Sequence, residues 1–195
     1  MSLIRGYLAM SLDGFIAGPN DELGWLEGAR GSGLPLAVGE WAATRPEGLE
    51  FDDFLASVGC IVMGRRTFDV VDSFEGPWAY GDTPMLVATS RPLASAHPTA
   101  EAATGDVRKI IARAKELAGE RDVYVDGGNT IRAVLEAHLL DHLVLTIQPT
   151  ALGAGIPLFA GLGVPAEFAV EKVERWGPGF VQVHLTTRGD AGHDA

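Results

Sequence analysis

The chain has 195 residues, 47% hydrophobic and 21% charged, and its 15 Lys and Arg against 26 Asp and Glu leave a net charge of −11. That balance excludes an intrinsically disordered chain and repels duplex nucleic acid and anionic membranes on average. One cysteine, Cys60, excludes an internal disulfide and a multi-cysteine metal site.

No apolar run reaches the ~20 residues of a membrane span. Met1-Ser2-Leu3-Ile4-Arg5 carries no basic region ahead of a long apolar stretch. The expectation is a soluble cytoplasmic protein, with one domain over 1–188 and a small polar tail over 189–195 that frays.

In chain order, the apolar pattern predicts a first strand over Leu3–Ala9. Gly18–Gly48 follows as a long irregular stretch holding seven of the 25 glycines, the mark of a lid or binding loop. Phe51, Phe54, Leu55 and Val58 lie at helical spacing and form one apolar stripe. Cys60–Met63 predicts a buried strand, with a short helix beginning beside Thr67, and Pro84–Ala88 a further strand. Val107–Ala118 predicts a helix capped by Asp106. Val123–Val125 is the next strand, and a helix after Gly127-Gly128 runs to about Ala137, capped by Asn129 or Thr130. His142–Ile147 is a strand, and Phe168–Val173 and Gly179–Thr187 close the chain as an antiparallel hairpin. Strands alternating with helices predict an α/β fold with a mixed, mostly parallel sheet covered on both faces.

Three strand-ending turns carry the chemistry. Gly64-Arg65-Arg66-Thr67 joins a glycine, two guanidiniums and a helix start, a setting that suits a phosphate. Asp126-Gly127-Gly128-Asn129-Thr130 repeats the strand-glycine-helix pattern, which lets backbone approach a ligand closely. Thr89-Ser90-Arg91 places hydroxyls and a guanidinium after a strand, a grouping able to hold a phosphate monoester. All three fall at carboxyl ends of predicted parallel strands, where open α/β sheets bind ligands. Three anion-competent turns on one sheet edge suit a dinucleotide.

Four pieces of the sequence carry a family resemblance: 9–17 (AMSLDGFIA), 62–68 (VMGRRTF), 126–128 (DGG) and 143–159 with its QPTALGAGIPLF ending. In order and spacing the chain resembles the dihydrofolate reductase superfamily, within it the branch of the riboflavin-biosynthesis reductase domain. The resemblance implies a homodimer that binds NADPH and reduces a small heterocyclic, pterin- or pyrimidine-like substrate. It implies that Gly64, Arg65, Arg66 and Thr67 face the pyrophosphate and adenosine half of the cofactor. Thr89, Ser90 and Arg91 would surround the 2′-phosphate, and Gly127, Gly128, Asn129 and Thr130 the pyrophosphate. Ala9 and Ile16 would lie near the nicotinamide, under a lid over 18–25, with Trp25 and Phe54 at the substrate.

The chain also departs from both named enzymes. Tyr7 stands where the riboflavin reductases carry a lysine, and Val71-Asp72-Ser73-Phe74 replaces their Asp-Asn-Pro run. The folate-gripping arginine has no counterpart in Gly81-Asp82-Thr83-Pro84-Met85. Three readings stand beside the general reductase: a 5-amino-6-(5-phosphoribosylamino)uracil reductase, a non-catalytic NADPH-binding homologue, and a structural dimer without cofactor. Proton donors are sought among Glu47, Glu50, Asp52 and Asp53 ahead of the buried strand, with Glu50 and Asp52 at the borders of the apolar stripe preferred. His138 and His142 are not read as metal ligands, and Cys60 is read as inert core. Trp41, Trp78 and Trp176 are assigned to core or dimer contacts.

Overall fold

The computed structural model describes residues 2–26, 48–94, 97–176 and 180–187, and of Trp176 the backbone alone. The tail over 189–195, most of the Gly18–Gly48 stretch, Trp41 and Glu47 lie outside the described residues. Among the described residues no helix is long and apolar enough to cross a membrane.

The centre of the molecule is an eight-stranded sheet. Its strands are β1 (Ile4–Ser11), β3 (Val58–Gly64), β4 (Met85–Ala88), β5 (Ala100–Ala103), β6 (Asp122–Asp126), β7 (His142–Gln148), β9 (Phe168–Trp176) and β10 (Phe180–Thr187). They lie in the order β5-β4-β3-β6-β1-β7-β10-β9. The first six positions are mutually parallel; β10 runs antiparallel to β7, and β9 pairs with β10 as the predicted hairpin. Two short strands, β2 (Phe15–Ala17) and β8 (Ile156–Pro157), form a separate antiparallel pair.

Among the described residues four helices cover the sheet: α1 (Phe51–Ala56), α2 (Arg65–Asp72), α3 (Val107–Ala118) and α4 (Gly128–Glu136). Alternation along the strands separates two core layers. Cys60, Val62, Leu86, Val123 and Val125 meet α3 and α4 through Ile110, Ile111, Ala114, Ile131 and Val134. Ile61, Met63, Met85, Val87 and Tyr124 meet α1 and α2 on the other face, through Phe54 and Phe68. Phe54 and Phe68 are each 1% exposed, and burying each contributes about 2 kcal/mol. These contacts fix where the two helices begin, and with them the upper edge of the sheet.

The structure departs from the sequence reading in local ways. Val58 belongs to β3 rather than to the helical stripe, because a register irregularity between Val58 and Cys60 keeps it on the face of Ile61 and Met63. Helix α2 starts at Arg65, two residues before Thr67. Neither Asn129 nor Thr130 caps α4: Gly127 occupies the N-cap at φ 88, with no side-chain cap bond. Asp106 does cap α3, accepting from the Arg108 N–H at 2.7 Å.

Candidate active site

A cavity of about 790 Å³ opens along the carboxyl ends of β1, β3, β4 and β6. Its middle is the corner where α2 and α4 begin. An added Cβ on Gly127 would fall 2.2 Å from Thr67 Oγ1, and one on Gly64 would fall 3.1 Å from Thr130 Oγ1. Each turn's glycine therefore admits the threonine from the first turn of the other helix. Two helix N-termini face one opening, each offering unpaired N–H groups and positive dipole. Gly64, Arg65, Arg66, Thr67, Gly127, Gly128, Asn129 and Thr130 all line it, as do Ala9 and Ile16. The structure brings these ten sequence-identified residues together.

Toward β4 the cavity continues past Ala88 to Gly105, Val107 and Ile110, a largely apolar slot at the start of α3. Thr89, Ser90 and Arg91 sit beyond the end of β4 and do not line the cavity. They connect to it through Arg65, whose Nη1 donates to the Pro92 carbonyl at 3.0 Å and whose Nε donates to Asp69 at 2.6 Å. Arg66 is held differently, with Nε 2.8 and 3.0 Å from the two Asp21 carboxylate oxygens. That pair ties residue 21 of the predicted lid to α2. Leu23 and Leu26 from the same segment line the cavity, whereas Trp25 between them does not.

At the other end the lining turns aromatic and acidic: Tyr7, Phe51, Tyr80 and Asp126. Asp126 ends β6 and is buried. Its carboxylate accepts from the Gly127 N–H at 2.7 Å and from the Tyr80 hydroxyl at 3.2 Å. Burial pushes its pKa up to about 6, against the downward pull of the Gly127 N–H and the Tyr80 and Tyr124 hydroxyls. Burial raises both phenols as well, so they remain protonated donors. The Tyr124 hydroxyl donates to the Tyr7 carbonyl at 3.0 Å.

The sequence-preferred acids stand elsewhere. Glu50 is the backbone N-cap of α1 and Asp52 lies in its first turn; both are exposed, and neither lines the cavity. The helix presses Phe54 into the core against Tyr7 and Tyr124, ring centroids 5.0 Å apart in each case. It turns its acidic face to water, so Phe51, rather than Phe54, reaches the cavity. Asp126 was within the quoted Asp-Gly-Gly piece. The sequence reading passed over it as an acid; its place directly after the apolar Val123–Val125 run was the signal that could have found it.

A family model describing the RibD C-terminal domain matches residues 4–182. The chain belongs to the RibD C-terminal domain family. Among its relatives is the uncharacterized protein YwjB of Bacillus subtilis (strain 168), 26% identical over 178 residues, covering 91% of this chain and 94% of that one. A crystal structure of a proposed riboflavin biosynthesis protein from Shewanella sp. PV-4 superposes with TM-score 0.77 at 29% identity, covering 96% of this chain and 99% of the other. Dihydrofolate reductase from Enterococcus faecalis, complexed with NADP(H), superposes with TM-score 0.57 at 16% identity, covering 96% and 97% of the two chains. The fold of this RibD C-terminal domain relative is thus dihydrofolate-reductase-like.

Proposed function

We propose that the protein is an NADPH-dependent reductase that transfers hydride to a small heterocyclic substrate, with Asp126 as the proton donor. The observation that carries this reading is the single cavity joining two facing helix N-termini to a buried carboxyl group. Membership of the RibD C-terminal domain family supports reductase chemistry. The glycine corner fits a pyrophosphate, because two helix starts supply N–H donors to one anion. The slot at Gly105, Val107 and Ile110 fits an adenine, and Ala9 and Ile16 offer the wall for a nicotinamide.

When bound, NADPH supplies the hydride. The chain's part is to align donor and acceptor and to exclude water with the apolar wall of Ile16, Leu23, Leu26 and Phe51. Reduction of a C=N bond also takes up a proton. Protonated Asp126 gives that proton to the substrate nitrogen, is left as a carboxylate held by Gly127 N–H and Tyr80, and is recharged from water. A carboxyl group with a pKa of about 6 is matched to that task near neutrality. The acid form is present below about 6 and disappears above it, so turnover falls as pH rises.

The test is loss of reduced-nicotinamide absorbance on mixing protein, NADPH and a panel of pterins, pyrimidines and 5-amino-6-(5-phosphoribosylamino)uracil. Turnover of one of them supports the reading. NADPH binding without hydride loss across the panel would favour the non-catalytic homologue instead.

A further inference from the structure

The cation nearest the adenosine end of the cavity is clipped. Arg65 lines the cavity, yet its side chain is only 22% exposed because Asp69, one helical turn on, takes its Nε at 2.6 Å. On its far side Arg65 Nη1 donates to the Pro92 carbonyl, which fixes the plane of the guanidinium. The second Asp69 oxygen lies 4.0 Å from Arg91 Nη2, at the end of a side chain that is 68% exposed. Arg91 comes from another element altogether, the turn after β4, where its N–H is held by Thr89 Oγ1 at 3.1 Å. One carboxylate thus gathers two guanidiniums that would otherwise repel each other. It uses only one N–H of Arg65, and the cluster keeps a net positive charge.

We propose that Asp69 is a positioning residue for cofactor choice: it clips Arg65 and Arg91 together so that both meet a phosphate monoester on the adenosine ribose. The inference rests on the cofactor reading above and adds a residue to it. Two effects oppose each other at Asp69. Its own charge repels a phosphate, but through water and screening salt, since the side chain is half exposed. Against that stands the ordering of two long flexible side chains, which without the clip must be immobilised when the ligand arrives. The second effect wins because it acts on two residues, one of them held by Asp69 at 2.6 Å.

The experiment is fluorescence titration of NADPH and NADH into wild type, Asp69→Asn, Asp69→Ala and Arg91→Ala. The expected result is NADPH affinity weakened about fivefold in Asp69→Ala and less in Asp69→Asn, which keeps one acceptor for Arg65. NADH affinity should stay within about twofold, because a neutral ribose hydroxyl offers neither arginine an opposite charge or a bidentate acceptor. Arg91→Ala should show the same selectivity in kind. A merely structural role would move both nucleotides together. Wild type binding NADPH while the Asp69 variants bind it equally well, or more tightly, overturns the clip and leaves the cofactor reading standing. Wild type that binds neither nucleotide overturns both.

Discussion

In the proposed reaction, Asp126 is the residue on which the chemistry turns. Its carboxyl is buried at the end of β6, and the price of its charge is what raises its pKa to about 6. In Asp126→Asn the proposed donor is lost while an acceptor for the Gly127 N–H remains. We expect kcat to fall by about a hundredfold or more, with NADPH affinity unchanged in direct titration. The stability sign follows from the same shift. A folded-state pKa above the ordinary 3.8 means the folded protein binds the extra proton. Wild type should therefore lose stability relative to Asp126→Asn as pH rises from about 4 through about 6, and the gap should be constant above that. Urea midpoints of the two proteins across that range check it. A gap that does not move with pH would mean that Asp126 ionises like a surface carboxylate.

At the scale of elements, two turns bear most of the load. Gly127 stands at φ 88 and ψ 139, a conformation that side chains avoid, with Thr67 in the space a Cβ would need. Gly127→Ala should cost about 3 kcal/mol in denaturant unfolding. A variant as stable as wild type would show that the helix starts do not abut as described. The turn after β1 is held by Asp13, which accepts from the Ser11 hydroxyl at 2.7 Å and from the Gly153 and Leu152 N–H groups at 2.7 and 3.1 Å. Those bonds, Ser11 first, lower its pKa to about 2. A depressed carboxylate stabilises above its ordinary 3.8 and loses that contribution as pH falls through about 2. Asp13→Asn should accordingly melt below wild type at neutral pH, with the difference shrinking in acid; a difference independent of pH contradicts this.

The same scale explains what could be read ahead of the structure. Long strands and helices with clear periods, such as Val107–Ala118 and the hairpin, were legible because burial writes itself into residue spacing. Three strands were not. β2 has three residues and β8 two, the second of them proline, while β5 reads Ala-Glu-Ala-Ala, which lacks β-branched or aromatic residues. At the site, the glycine corners were legible because Gly127 needs a positive φ and Gly64 leaves room for Thr130. Asp126 was hidden because its role comes from burial that sequence spacing does not show: Tyr80, 46 residues away, closes over it beside its own strand neighbour Tyr124.

The described residues are organised around one eight-stranded sheet whose upper edge is assembled from four strand ends far apart in sequence. A ligand spanning that edge touches β1, α2, α3 and α4 at once and binds only the folded chain. NADPH at a hundred times its Kd should stabilise the protein by about 2.7 kcal/mol, seen as a concentration-dependent rise in Tm. A Tm indifferent to NADPH would mean that no such bridge forms. The decisive measurement is a crystal structure of the NADPH complex. The pyrophosphate should lie between the first turns of α2 and α4, beside Thr67 and Gly128, with the nicotinamide against Ala9 and Ile16 and open toward Asp126. Pyrophosphate bound at any other edge of the sheet, or a nicotinamide walled off from Asp126, would contradict it.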